Sequence, residues 1–213
     1  MFCVFALCFS KVTEMTVQKY AQAKKIYIDS FVASYKRQKI SLKDLAKKSW
    51  AEYAVALDSN FDKTVENPRN FCFVDLDPNG QVLGFIAART DGNILYIAET
   101  SVRTDSQNKG ISKRLISACI KRMKVSNCQK IKVTAFTRNG NKLVREIYVN
   151  KWGWKEYPNV QDAIKVGDIP ESKISPSSEE DANHVVPWYD PEKYVFFIWS
   201  DAKKCLMKRL AKP

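Results

Sequence analysis

Gln107-Asn108-Lys109-Gly110-Ile111-Ser112 has the residue types of an anion cradle, a short polar turn with one glycine standing between a β-type run and a helix-type run. The first backbone N–H groups of a helix have no intrahelical acceptor and lie at the positive end of its dipole, so a phosphate fits there. Gly110 removes the Cβ that would hold a ligand off the backbone. Lys109, Lys113 and Arg114 can add charge-assisted contacts to a pyrophosphate-type group. The chemistry to expect of such a turn is holding phosphate, not breaking bonds.

The elements on either side must position this turn. Ile94, Tyr96, Ile97, Thr100 and Val102 are strand-favouring residues within Asn93 to Val102, which predicts a strand ending near Arg103. Ile111, Leu115, Ile116, Cys119, Ile120 and Met123 recur at helical spacing and predict an amphipathic helix that begins inside the motif. Upstream, Val17 to about Tyr35 reads as a helix. Ser41 reads as the N-cap of a second helix, with Asp44 three residues on and Leu42, Leu45, Trp50, Tyr53 and Leu57 forming its stripe. Phe71 to Leu76 and Gln81 to Arg89 read as strands joined by the turn Asp77-Pro78-Asn79-Gly80. Downstream come a strand (Lys130 to Phe136), a helix (Asn139 to Lys151), a polar insertion at about 157–193, a last strand (Tyr194 to Trp199) and a basic tail, 201–213, with helical spacing. A single domain over 1–213 accounts for this order, with its core at about 17–200.

Val102 to Ser112 resembles the acetyl-CoA-binding motif of the GNAT superfamily of N-acetyltransferases, Val-x-Pro-x-x-Gln/Arg-Gly-x-Gly-Ile-Gly/Ala, at the same spacing. Thr104 stands at the usual proline, Asn108 at a usual glycine and Ser112 at the last small residue. The resemblance implies an α/β (α+β) fold with a mixed, mostly antiparallel central sheet flanked by helices and splayed at the CoA-binding strand. It also implies acetyl-CoA as co-substrate, held by Val102, Thr104, Gln107, Asn108, Lys109, Gly110, Ile111 and Ser112. The family pattern Asn-x-x-Ala-x-x-x-Tyr falls on Asn141, Val144 and Tyr148, which implies a cofactor contact for Asn141 and makes Tyr148 the acid for the leaving thiolate. The family's Gly-Phe usually follows the tyrosine by four residues, whereas Gly153-Trp154 follows by five. Counted back from Gly153, the acid position would fall on Val149, which has no proton to donate.

An amine attacks a thioester only as the free base, so a proton acceptor is needed. Glu99 is the acid on the strand entering the turn, where the family often carries its base, and partial desolvation there would suit the role; a solvent-facing place on an alternating strand is the other reading. These residues together read as an N-acetyltransferase acting on a primary amine by direct attack in a ternary complex. A catalytically inactive CoA-binding module is the alternative. A basic nucleic-acid-binding protein is a weaker one, motivated by the net charge of +12 over 213 residues, because no basic stripe with interleaved aromatics is present. Aromatic residues of the first two helices, Tyr27, Phe31, Tyr35 and Trp50, suit either an acceptor pocket or core.

The six cysteines include no Cys-x-x-Cys pair, and His184 is the one imidazole, so no metal site is expected. This cysteine usage suits a reducing, cytoplasmic setting, and no run approaches a membrane span. The apolar Met1 to Phe9 reads as an edge strand or as residues preceding a start at Met15.

Overall fold

The computed structural model describes residues 10–123, 131–138, 140–174 and 194–199. Among the described residues seven strands form one sheet in the order β1-β2-β3-β4-β5-β7-β6. In chain order these are β1 (Lys11–Glu14), β2 (Phe71–Leu76), β3 (Val82–Asp91), β4 (Ile94–Val102), β5 (Lys132–Arg138), β6 (Lys155–Tyr157) and β7 (Tyr194–Trp199). All neighbours are antiparallel except β4 and β5. That parallel pair registers only at Ile94–Lys132, Leu95–Val133 and Tyr96–Thr134, after which β4 leaves its neighbour. The mixed, mostly antiparallel and splayed sheet expected from the sequence is the one observed.

Helices cover both faces. On one face α3 (Ile111–Arg122) and the helical segment after β5 bury Ile86, Ala88, Leu95, Ile97, Val133, Ala135 and Phe197. On the other, α1 (Val17–Arg37) and α2 (Trp50–Glu66) pack over β2 and β3 through Tyr27, Phe61, Val74, Phe85 and Ala87. The strict alternation of Phe85 and Ala87 against Ile86 and Ala88 is what a strand buried on both faces requires. Gly84 allows β3 to approach β4 and α3, because a Cβ there would lie 2.8 Å from the Ser101 carbonyl oxygen and 3.0 Å from Ile111.

Several boundaries differ from the sequence reading. The second helix begins at Trp50, not after Ser41. Ser41 does accept a hydrogen bond from the Asp44 N–H (3.1 Å), but Ala46 takes a left-handed φ of 52° and ends that single turn. Ser49 is the working N-cap, accepting from the Glu52 N–H at 3.1 Å. An unforeseen strand, β1, pairs with β2. The start of the polar insertion is ordered: β6 borders β7, and α5 (Val160–Lys165) buries Val160 and Ala163 with Ile169, Ile174 and Phe196. The rest of the insertion with His184, the apolar start Met1 to Phe9, Cys128 and the basic tail lie outside the described residues.

Candidate active site

The departure of β4 from β5 opens a cavity of about 350 Å³ bounded by α1, the end of β4, the start of α3 and the helical segment that follows β5. Gln107, Asn108, Gly110, Ile111 and Ser112 line it together with Val102, Asn141 and Tyr148. Of the residues expected at the site from the sequence, Thr104, Lys109 and Glu99 do not line this cavity. Ser30, Ser34, Arg37, Ser106 and Lys151 do; the first three were missed because α1 reaches the cavity only through the three-dimensional fold, and Ser106 and Lys151 carry no signal of their own in the sequence.

The turn has the geometry of an anion cradle. The backbone N–H groups of Asn108, Lys109, Gly110, Ile111 and Ser112 make no hydrogen bond among the described residues, and the first bond of the new helix is Arg114 N–H to the Gly110 carbonyl, 3.1 Å. Gly110 caps α3 with φ 75°, and Asn108 has φ 64°. Asparagine is one of the few side chains that accepts this left-handed conformation, which is why it can stand at a glycine position of the motif. Arg114 does not serve as a phosphate-facing cation. Its Nε and Nη2 bind Asp75 Oδ2 at 2.8 and 2.7 Å, and its Nη1 donates to the Lys109 carbonyl at 2.9 Å.

Asn141 forms the N-cap of α4 (Lys142–Arg145), accepting from the Val144 N–H at 3.3 Å while its Nδ2 donates to Thr137 at 2.9 Å. It therefore combines the helix-start role with a place on the cavity wall. The chain then continues as a π-helix, Glu146–Lys151, whose wider turn absorbs one extra residue. This resolves the spacing of five to Gly153: Tyr148 faces the cavity and Val149 faces away from it, in a separate surface depression. Tyr148 is 8% exposed and stacks on Trp152 and Trp154 at ring-centroid distances of 5.5 and 4.4 Å. Its hydroxyl makes no hydrogen bond among the described residues. Burial, and next the negative charge of Glu99, push its pKa well above the ordinary tyrosine value, so it stays protonated throughout the neutral range.

Glu99 lies on the opposite face of β4, and a β-bulge puts it there. Ala87 pairs with Glu99 but Ala88 with Ile97, leaving Ala98 as the extra residue. Without it, Glu99 would follow Leu95 and Ile97 onto the α3 face; with it, the carboxylate meets α1 and α2. The Tyr27 hydroxyl donates to Glu99 Oε1 at 3.1 Å and Asn60 Nδ2 donates to the same oxygen at 3.0 Å. Asn60 also donates to the Tyr27 hydroxyl, 2.7 Å. The carboxylate is thus half-buried and hydrogen-bonded. Tyr27 and Tyr35 are core residues, 1% and 4% exposed, although Tyr35 and Phe31 also reach the cavity wall.

The two described cysteines offer no ready nucleophile. Burial raises the Cys72 thiol to about 11 and the fully buried Cys119 higher still. Among the described residues no cluster of three or more His, Cys, Asp or Glu could hold a metal, and no helix is long and apolar enough to cross a membrane.

The fold is similar to that of known proteins. The PaiA N-acetyltransferase of Thermoplasma acidophilum, solved in complex with coenzyme A, superposes with a TM-score of 0.51 at 13% identity, covering 71% of this chain and 92% of that one. A GNAT-family acetyltransferase of Staphylococcus aureus Mu50 gives 0.49 at 14% identity over 88% of this chain and 98% of its own. The GNAT-family N-acetyltransferase YhbS of Escherichia coli, in complex with CoA, gives 0.49 at 11% identity over 93% and 85%. The model of the Acetyltransferase (GNAT) family matches residues 25–154, which include β2 to β4, the cradle, Asn141 and Tyr148. The chain belongs to the GNAT acetyltransferase family.

Proposed function

We propose that this protein transfers an acetyl group from acetyl-CoA to a primary amine by direct attack within a ternary complex. The observation that carries the reading is the cavity whose wall holds Asn108, Gly110, Ile111 and Ser112 of the cradle together with Tyr148, with Glu99 on β4, the strand whose end forms part of the same wall. Complexes of PaiA and YhbS with CoA support the same donor. The cradle would bind the pyrophosphate and leave the thioester beside Tyr148. The amine lone pair attacks the thioester carbonyl carbon, the tetrahedral intermediate collapses with loss of the C–S bond, and Tyr148 protonates the departing sulfur. Because Glu99 is outside the cavity wall, it would accept the amine proton through a water. Fixing both substrates supplies much of the rate through proximity.

Calorimetric titration with acetyl-CoA, followed by thiol release across a panel of primary amines, tests the reading. Saturable binding with amine-dependent thiol release is expected. Binding without release would favour an inactive CoA-binding module, whereas no binding of acetyl-CoA together with salt-dependent binding of a nucleic acid probe would favour the polyanion reading. The location expected for such an enzyme is the cytoplasm.

A further inference from the structure

We infer that the ion pair between the buried Asp75 and the half-exposed Arg114 is a positioning device for the cradle, setting acetyl-CoA affinity from β2 without touching the ligand. The inference rests on the acetyl-CoA reading above. Asp75 is 0% exposed, and both strong donors it receives, Arg114 Nε and Nη2, converge on Oδ2. Its Oδ1 is buried with no hydrogen-bond partner among the described residues. A half-satisfied buried carboxylate is a poor way to stabilise a fold, since desolvation takes back much of the ion-pair attraction and an apolar pair of equal size is often as stable. What the pair does provide is direction. Held at two nitrogens by Asp75, the guanidinium has one orientation left, and in it Nη1 takes the Lys109 carbonyl at 2.9 Å.

That carbonyl belongs to the residue between the two left-handed positions of the turn, Asn108 and Gly110. Fixing it fixes the peptide plane whose N–H belongs to Gly110, and so the aim of the cradle's donors. Arg114 Nη1 also packs under Gly110, 3.7 Å from where a Cβ would be. One side chain thus spans β2, the turn and the first turn of α3. A lysine could keep the charge pair with Asp75 but lacks the planar fork that reaches both partners.

The test compares the wild-type protein with Arg114→Lys, Asp75→Asn and the apolar double variant Asp75→Leu/Arg114→Met, measuring CoA affinity by calorimetry, steady-state KM for each substrate and thermal midpoint. Arg114→Lys should weaken CoA binding about tenfold, the scale on which loss of an outer support acts on a site. The double variant should do the same with its thermal midpoint kept or raised, and KM should rise for acetyl-CoA but not for the amine. Unchanged CoA affinity in every variant that folds, with only the midpoint lowered, would overturn the inference and leave the pair a structural contact. Failure of the wild-type protein to bind CoA would instead remove the donor reading itself, and this inference with it.

Discussion

The two sides of β4 are built in different ways. The cradle side consists of main-chain donors set by neighbours in sequence, with Val102 to Ser112 supplying the turn, its glycine and the helix start. The Glu99 side consists of side chains drawn from three elements, with Tyr27 and Asn60 lying 72 and 39 residues away from the carboxylate they hold. A site made of backbone needs a local motif, whereas a site made of side chains needs the whole domain to have folded. The first kind can stay the same while the second is rebuilt for a new acceptor.

Substitutions on each side should separate donor binding from chemistry. Glu99→Gln removes the proposed proton acceptor and should lower kcat by about 10²- to 10⁴-fold, with acetyl-CoA affinity unchanged by calorimetry; a parallel loss of affinity would mean that the two sides are not independent. Gly110→Glu puts a side chain at φ 75° and a negative charge among the cradle donors. It should weaken acetyl-CoA binding by about 100-fold, equivalent to about 2.7 kcal/mol, and wild-type affinity in this variant would break the assignment of the cradle. Tyr148→Phe should lower kcat only about tenfold, because a thiolate is already a fair leaving group, and the loss should be the same across the neutral range, where Tyr148 stays protonated. Asn60→Leu has the smallest expected effect, about threefold in kcat/KM. Its signature is a loss in turnover with acetyl-CoA affinity kept, because Asn60 holds the Glu99 carboxylate and not the cradle. Unchanged kcat/KM in this variant would show that Asn60 does not position the carboxylate.

The same contrast explains what could be read in advance. The cradle turn, the helix starting at Ile111 and the strand Tyr194–Trp199 are written in local residue types and short periods, whereas the splayed sheet followed from the family resemblance. The bulge at Ala98 is not, because an alanine among strand residues carries no signal of being the extra one, yet it decides which face Glu99 joins. Arg114 was misread for the same reason: a basic residue near a phosphate turn suggests a ligand contact, and its partner Asp75 is contributed by a distant strand. Ser41 shows a limit of another kind, since a sound cap with a periodic stripe behind it was stopped by the backbone of Ala46.

The π-helix also bears on how this chain is compared with others. Aligned by distance from Gly153, Val149 would take the place of the acid and the protein would be scored as having lost its proton donor. Aligned in space, the extra residue is stored in one widened turn, and Tyr148 keeps its place on the cavity wall. A length difference of a single codon can therefore imitate the loss of an enzyme's chemistry, and spacing alone is a poor ground for calling a family member inactive.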